Sequence, residues 1–210
     1  MIGYGAFPEA KVIASQAFDS KSDQKKERIV EEIKSFDDEY YVSRDYPISF
    51  PEVDFPIKGD EHCMQIGQTT LTFFQAAGHN DDGLFTIIEP FGILIAGDYF
   101  SDIEFPYIYF NSKEYERTIR KLDDILTKFT IQLLVTGHGN PTRDRSEMKN
   151  RKQVSLDYIE KMREFVIGND ESGSMELIED CKFPRNMKKF HKQNYSLFEK
   201  EHLNDDKKRC

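Results

Sequence analysis

The sequence contains no tryptophan and only 3 cysteines in 210 residues. Cys63, Cys181 and Cys210 are odd in number, widely spaced and form no C-x-x-C pair, so they suggest no disulfide framework. Reduced thiols of this kind fit the cytoplasm. No apolar run is long enough to cross a bilayer. The first residues, MIGYGAFPEAK, carry neither a basic leader nor an apolar signal core. Positive charge is also in deficit: 29 Lys and Arg against 38 Asp and Glu give a net charge of −9. An acidic surface repels phosphates, which argues against non-specific binding of nucleic acid or an anionic membrane. No G-x-S-x-G, phosphate loop or dinucleotide fingerprint is found, and no thiol has a neighbour that marks a nucleophile. Neither an internal repeat nor a low-complexity linker divides the chain, so residues 1–210 read as a single domain.

What is there is an alternation of short strands and longer helices. Residues 11–15 (KVIAS) read as a buried strand. Residues 20–36 read as a helix, with Ser20 and Asp23 at capping-box spacing and Ile29, Val30, Ile33 and Phe36 on one stripe. Pro51 and Pro56 break residues 48–57, leaving an edge strand or an irregular loop. Residues 63–66, 70–75, 84–89 and 93–96 are strand-like runs whose spacing predicts an antiparallel meander. A helix is expected over 112–129, with Asn111 and Glu114 at cap spacing. A strand over 131–135 and a helix from about Asp144 to Ile167 follow, then two further helices and a frayed polar tail over 204–210.

Three stretches carry chemistry: Ala77-Gly78-His79-Asn80-Asp81-Asp82, Ile95-Ala96-Gly97-Asp98 and Val135-Thr136-Gly137-His138-Gly139. Each puts a His or Asp just past an apolar run, beside glycine. A catalytic metal needs about three protein ligands and an open position, and loops past strand ends supply ligands that are rigidly held yet accessible. His79, Asp98 and His138 meet that description, although each alone reads as an ordinary loop histidine or turn aspartate. Asp81 and Asp82 could orient His79 or simply be solvated. Asp102 and Glu104 read as the pocket mouth or as part of a capped turn. Tyr107 and Tyr109 are substrate-wall candidates for which core packing is the favoured alternative. His62 reads as a satisfied or surface residue, and His191 and His202, on a charged helix, are expected to face solvent.

On these motifs, Gln65 to Thr142 resembles the second half of a metallo-β-lactamase-fold hydrolase, in which successive strands end in G-H, G-D and G-H-G ligands. Residues 7–15 are similar to the family segment that follows its first metal motif. The likeness thus covers about residues 1–165, with 166–210 as a C-terminal helical extension. The resemblance implies an α/β fold, a four-layer αββα sandwich, and a site for two zinc ions. In that site His79 binds the first metal, Asp98 bridges, and His138 binds the second. It also implies metal-activated water attacking an ester, lactone, thioester, amide or phosphoester, with a small-molecule substrate.

The family's H-x-H-x-D-H signature, which supplies the remaining ligands, does not occur in the sequence. The resemblance would place it ahead of Met1. The expectation is therefore an N-terminally incomplete, truncated domain with two ligands per metal and low or absent activity. A non-enzymatic pseudo-enzyme, pairing or self-associating through its incomplete sheet, is the alternative. A single-metal enzyme recruiting Asp81, Asp82 or Glu104 as a ligand is the third reading.

Overall fold

In the computed structural model, which describes residues 3–209, the chain forms two compact units, Met1–Lys58 and Gly59–Cys210. In the first unit, strand β1 (Ile13–Ser15) pairs in parallel with β2 (Phe55–Ile57), Ala14 opposite Pro56. A short helix, α1 (Gln16–Asp19), and a long one, α2 (Asp23–Glu39), lie between them in sequence. The long helix starts later than Ser20. The Ser20 amide bonds back to the Gln16 carbonyl and closes α1, and Ser22, in extended conformation, accepts from the Lys25 amide instead. That makes Ser22 the N-cap residue. A paired contact ties the end of α2 to the following loop: Arg44 Nε and Nη2 each lie 2.6 Å from an Asp37 carboxylate oxygen.

The second unit is built on a sheet in the order β3 (His62–Ile66), β4 (Thr69–Gln75), β5 (Leu84–Glu89), β6 (Ile93–Ile95), β7 (Leu133–Val135). The first four strands form the antiparallel meander that their spacing predicts, and β7 joins β6 in parallel. That parallel pairing requires a crossover, supplied by α3 (Ser112–Lys128). Asn111 caps α3 by accepting from the Lys113 and Glu114 amides. Ile131 and Gln132 stay outside β7, and the Gln132 and Leu133 amides both bond to the Gly92 carbonyl in the turn before β6. α4 (Arg145–Ile167) follows, capped by Asp144. α5 (Glu171–Ser174), a 3₁₀ turn (Met175–Ile178) and α6 (Pro184–Arg209) complete the unit. The backbone of 204–209, expected as a frayed tail, continues α6, while Cys210 lies outside the described residues. No helix among the described residues is long and apolar enough to cross a membrane.

Register separates the two faces of the sheet. Phe74, Phe85, Ile87, Leu94 and Leu134 lie on one face. They share a buried cluster with Tyr115, Ile119 and Leu122 of α3 and with Met148, Ile159 and Met162 of α4. On the other face Met64, Leu71, Ile88, Ile93 and Leu133 stand opposite one another across all five strands. The C-terminal ends of β4, β6 and β7 deliver the three loops that carry the candidate site.

Candidate metal centre

The chain leaves β4 through Ala76, Ala77 and Gly78 before His79. A Cβ on Gly78 would stand 2.2 Å from Tyr115 Cα, and its φ is +132°, so only glycine lets this loop lie against the first turn of α3. His79 is then held from several sides. Its amide donates to the Tyr99 hydroxyl at 2.9 Å, and that hydroxyl donates to the Ala76 carbonyl at 2.8 Å. Its Nδ1 lies 2.7 Å from the Tyr107 carbonyl. A carbonyl can only accept, so Nδ1 carries the proton and Nε2 of the neutral ring keeps its lone pair toward the site.

Nε2 of His79 faces Asp98 Oδ2 at 3.1 Å, and Nε2 of His138 faces Asp98 Oδ1 at 3.6 Å. The carboxylate thus offers one oxygen to each imidazole. Gly137 makes room for it: a Cβ there would stand 2.1 Å from Asp98 Oδ1. The electrostatics follow from the geometry. Burial alone would lower the His79 pKa, but the protonated ring can donate from Nε2 to Asp98 as well as from Nδ1 to the Tyr107 carbonyl, and these bonds with the charges of Asp98 and Glu104 leave it raised. The His79 hydrogen bond and the two imidazoles hold the Asp98 carboxyl below its usual range against the opposing effect of burial.

Of the other candidates, Glu104 joins the site, its Oε1 4.0 Å from His138 Nδ1. Asp102 serves as a brace instead, accepting from the Asn140 amide at 2.8 Å and the Asn140 side chain at 2.9 Å. Tyr107 and Tyr109 line the cavity over the site rather than the core, with Tyr109 62% exposed. Asp81 and Asp82 sit in the His79 loop outside that lining. His62 is exposed at the start of β3, and His202 lies elsewhere on α6. His191 departs from expectation: it is fully buried, with Nδ1 3.0 Å from the Tyr158 hydroxyl and Nε2 2.9 Å from Ser174 Oγ.

Three supporting residues escape a reading of motifs. Tyr99 positions the His79 amide. Arg151, buried on α4, donates to the Phe100 carbonyl at 3.2 Å and the Asn140 carbonyl at 2.8 Å, fastening the Asp98 and His138 loops to one helix. Asn194 of α6 accepts from the Ile108 amide at 3.0 Å and donates to the Pro106 carbonyl at 2.6 Å, gripping the chain on both sides of Tyr107. A signal existed for Arg151, a charge on the same α4 stripe as Met148, Ser155 and Tyr158. Nothing local marks Asn194.

Two ligands of one tetrahedral zinc, each about 2.0–2.1 Å from the ion, lie about 3.3 Å apart. The 3.1 and 3.6 Å separations are of that size, so each imidazole and its carboxylate oxygen fit half of a coordination shell. Among the described residues no three His, Cys, Asp or Glu groups converge as a metal site. The described donors therefore do not make a catalytic zinc site by themselves.

No protein-family profile matches the sequence, and no curated protein matches it by sequence. Solved structures do match. A metallo-β-lactamase family protein from Thermus thermophilus is 16% identical, with 78% of this chain and 59% of that chain covered and a TM-score of 0.54. An inverting sec-alkylsulfatase from a Pseudomonas species is 13% identical, covering 82% of this chain and 31% of that one at a TM-score of 0.51. This chain thus spans 59% of the length of the Thermus protein it matches. At these identities the likeness is one of architecture, and by that likeness the chain has the metallo-β-lactamase fold.

Proposed function

We propose that this chain belongs to the lineage of metal-dependent hydrolases that share its fold, with His79 on one zinc ion, Asp98 bridging and His138 on a second. The reaction class is attack of water on an ester, lactone, thioester, amide or phosphoester. The observation that carries this reading is the sharing of one carboxylate between two imidazoles, at 3.1 and 3.6 Å. The same donor count implies low or absent activity in this chain alone, because two ligands per ion fall short of the three that a catalytic zinc requires. A working centre needs further donors from outside this set. Free thiols at Cys63 and Cys181 suit a reducing cytoplasm.

Elemental analysis after dialysis against trace zinc tests the reading. We expect well under two equivalents per chain, less again in Asp98→Asn, and no turnover of aryl esters, lactones or phosphodiesters. Two firmly held equivalents with turnover would overturn the low-activity assignment. Zinc uptake indifferent to Asp98→Asn would overturn the ligand assignment.

A second reading, a non-enzymatic self-associating protein, is favoured by the apolar second face of the sheet. Ile66 and Ile95 are 53% and 41% exposed in its strands, and Ile95 stands opposite Val135 on the face that also carries Ile88 and Ile93. The partner we propose is a second copy of the chain. Sedimentation velocity that finds only monomer at micromolar concentration excludes this reading.

A further inference from the structure

The cavity over the His79–Asp98–His138 cluster has a volume of about 160 Å³. That is the size of an apolar cavity that holds one benzene molecule, about 150 Å³. Its walls are aromatic and fixed. Tyr107 stacks on Phe190 at 4.2 Å between centroids and touches Tyr109 at 4.1 Å, while its hydroxyl is tied to Gln193. Phe105, also on the lining, is stacked on Tyr158 at 4.8 Å. Asn194 pins the backbone on both sides of Tyr107. Rings held this way lose little freedom when a flat group slides between them.

Charge at the cavity is equally informative. The charged carboxylates on its lining are Asp98 and Glu104, and neither Lys nor Arg lines it. With no metal bound, a phosphate, sulfate or carboxylate entering here would meet two carboxylates, and the two imidazoles that could receive it already face Asp98.

We propose that this cavity binds a single uncharged ring, aryl or alicyclic, and that the group presented to the His–Asp cluster is therefore a neutral ring-bearing ester, lactone or amide rather than a phosphoester or sulfate. The proposal takes the His–Asp cluster as the reacting end, as above, but ring binding requires no turnover.

Three compounds of one shape and different charge separate the terms: benzamide, benzoate and benzamidine. Binding is measured on the purified full chain by titration of the tyrosine ring resonances, with and without zinc. In the zinc-free protein benzamide is expected to bind saturably and benzoate at least tenfold more weakly. Cationic benzamidine is expected to bind no more weakly than benzamide. Tyr109→Ala, at an exposed position, is expected to weaken benzamide at least fivefold while leaving the thermal midpoint unchanged. Benzoate binding as tightly as benzamide overturns the proposal, as does benzamide binding that is absent or insensitive to Tyr109→Ala. Benzamide binding together with zinc uptake indifferent to Asp98→Asn leaves the ring site standing and sinks the hydrolase reading. Turnover that makes no distinction between neutral and anionic aryl substrates does the reverse.

Discussion

At the scale of single residues, two glycines near the site do different work, and alanine tells them apart. A Cβ at position 78 would meet Tyr115 Cα at 2.2 Å, a backbone atom of α3, in a conformation with φ +132°. Nothing there can yield, so Gly78→Ala should cost about 3 kcal/mol or more. A Cβ at position 137 would meet Asp98 Oδ1 at 2.1 Å, the free end of a side chain. Turning that carboxylate relieves this clash and leaves a 3.3 Å contact with the Gly97 carbonyl carbon, so Gly137→Ala should cost about 1 kcal/mol. It would still take the oxygen away from His138. Urea unfolding and zinc uptake, measured together, should show Gly78→Ala losing stability and Gly137→Ala losing metal. Equal stability losses in the two variants would refute the distinction.

At the scale of elements, α6 holds the far wall of the site to α4 and α5 through a buried polar chain. Asn194 Nδ2 donates to the Tyr158 hydroxyl at 3.0 Å. Ser174 Oγ donates to the Glu171 carbonyl at 2.7 Å, so it can accept from His191. The neutral imidazole then donates from Nε2 and accepts the Tyr158 proton at Nδ1, with every group satisfied. Burial lowers the His191 pKa to about 4 from 6.5.

The sign follows from linkage. The folded state resists the proton that the unfolded state accepts, so this contribution to stability is full above about pH 6.5, falls as pH drops, and is spent near pH 4. The loss across that window should reach up to about 3 kcal/mol. The difference in urea stability between the wild type and His191→Gln, taken at each pH, should narrow by that amount between pH 7 and pH 4. A constant difference would show that His191 takes up its proton at the same pH in the folded and unfolded states.

At the scale of the whole molecule, the acidic surface and the two-faced sheet make opposite demands. A net charge of −9 keeps copies apart, while the row Met64, Leu71, Ile88, Ile93 and Leu133 favours burial. If a second copy covers that face, association should strengthen with salt, because screening weakens the repulsion and leaves the apolar contact. Ile93→Lys, in the middle of the row, should give a monomer with the helical spectrum retained. An Ile93→Lys protein that still associates would place the contact elsewhere.

Much of this was legible along the chain because it is local. Alternation and turns marked the four meander strands to within a residue, and Asn111 three residues before Glu114 marked the cap of α3. Glycine beside His79, Asp98 and His138, just past apolar runs, marked the three loops that meet. Local rules also explain a miss: Ser20 and Ser22 both have capping chemistry, and the choice between them depends on which amide α1 consumes first. His191 was misjudged because α6 is charged overall, and amphipathic averaging hides one buried histidine.

The sequence by itself determined the strands, most of the helices and the three loops that meet, since backbone propensity and turn chemistry reside in each residue and its near neighbours. Only the tertiary structure decided that Asp98 is shared between two imidazoles, that Arg151 and Asn194 hold the loops, and that aromatic rings from residues 105–109 and from α6 close over them. Those contacts join residues up to 88 positions apart, and distances of that kind are set by how layers pack around a common core, which no local pattern records.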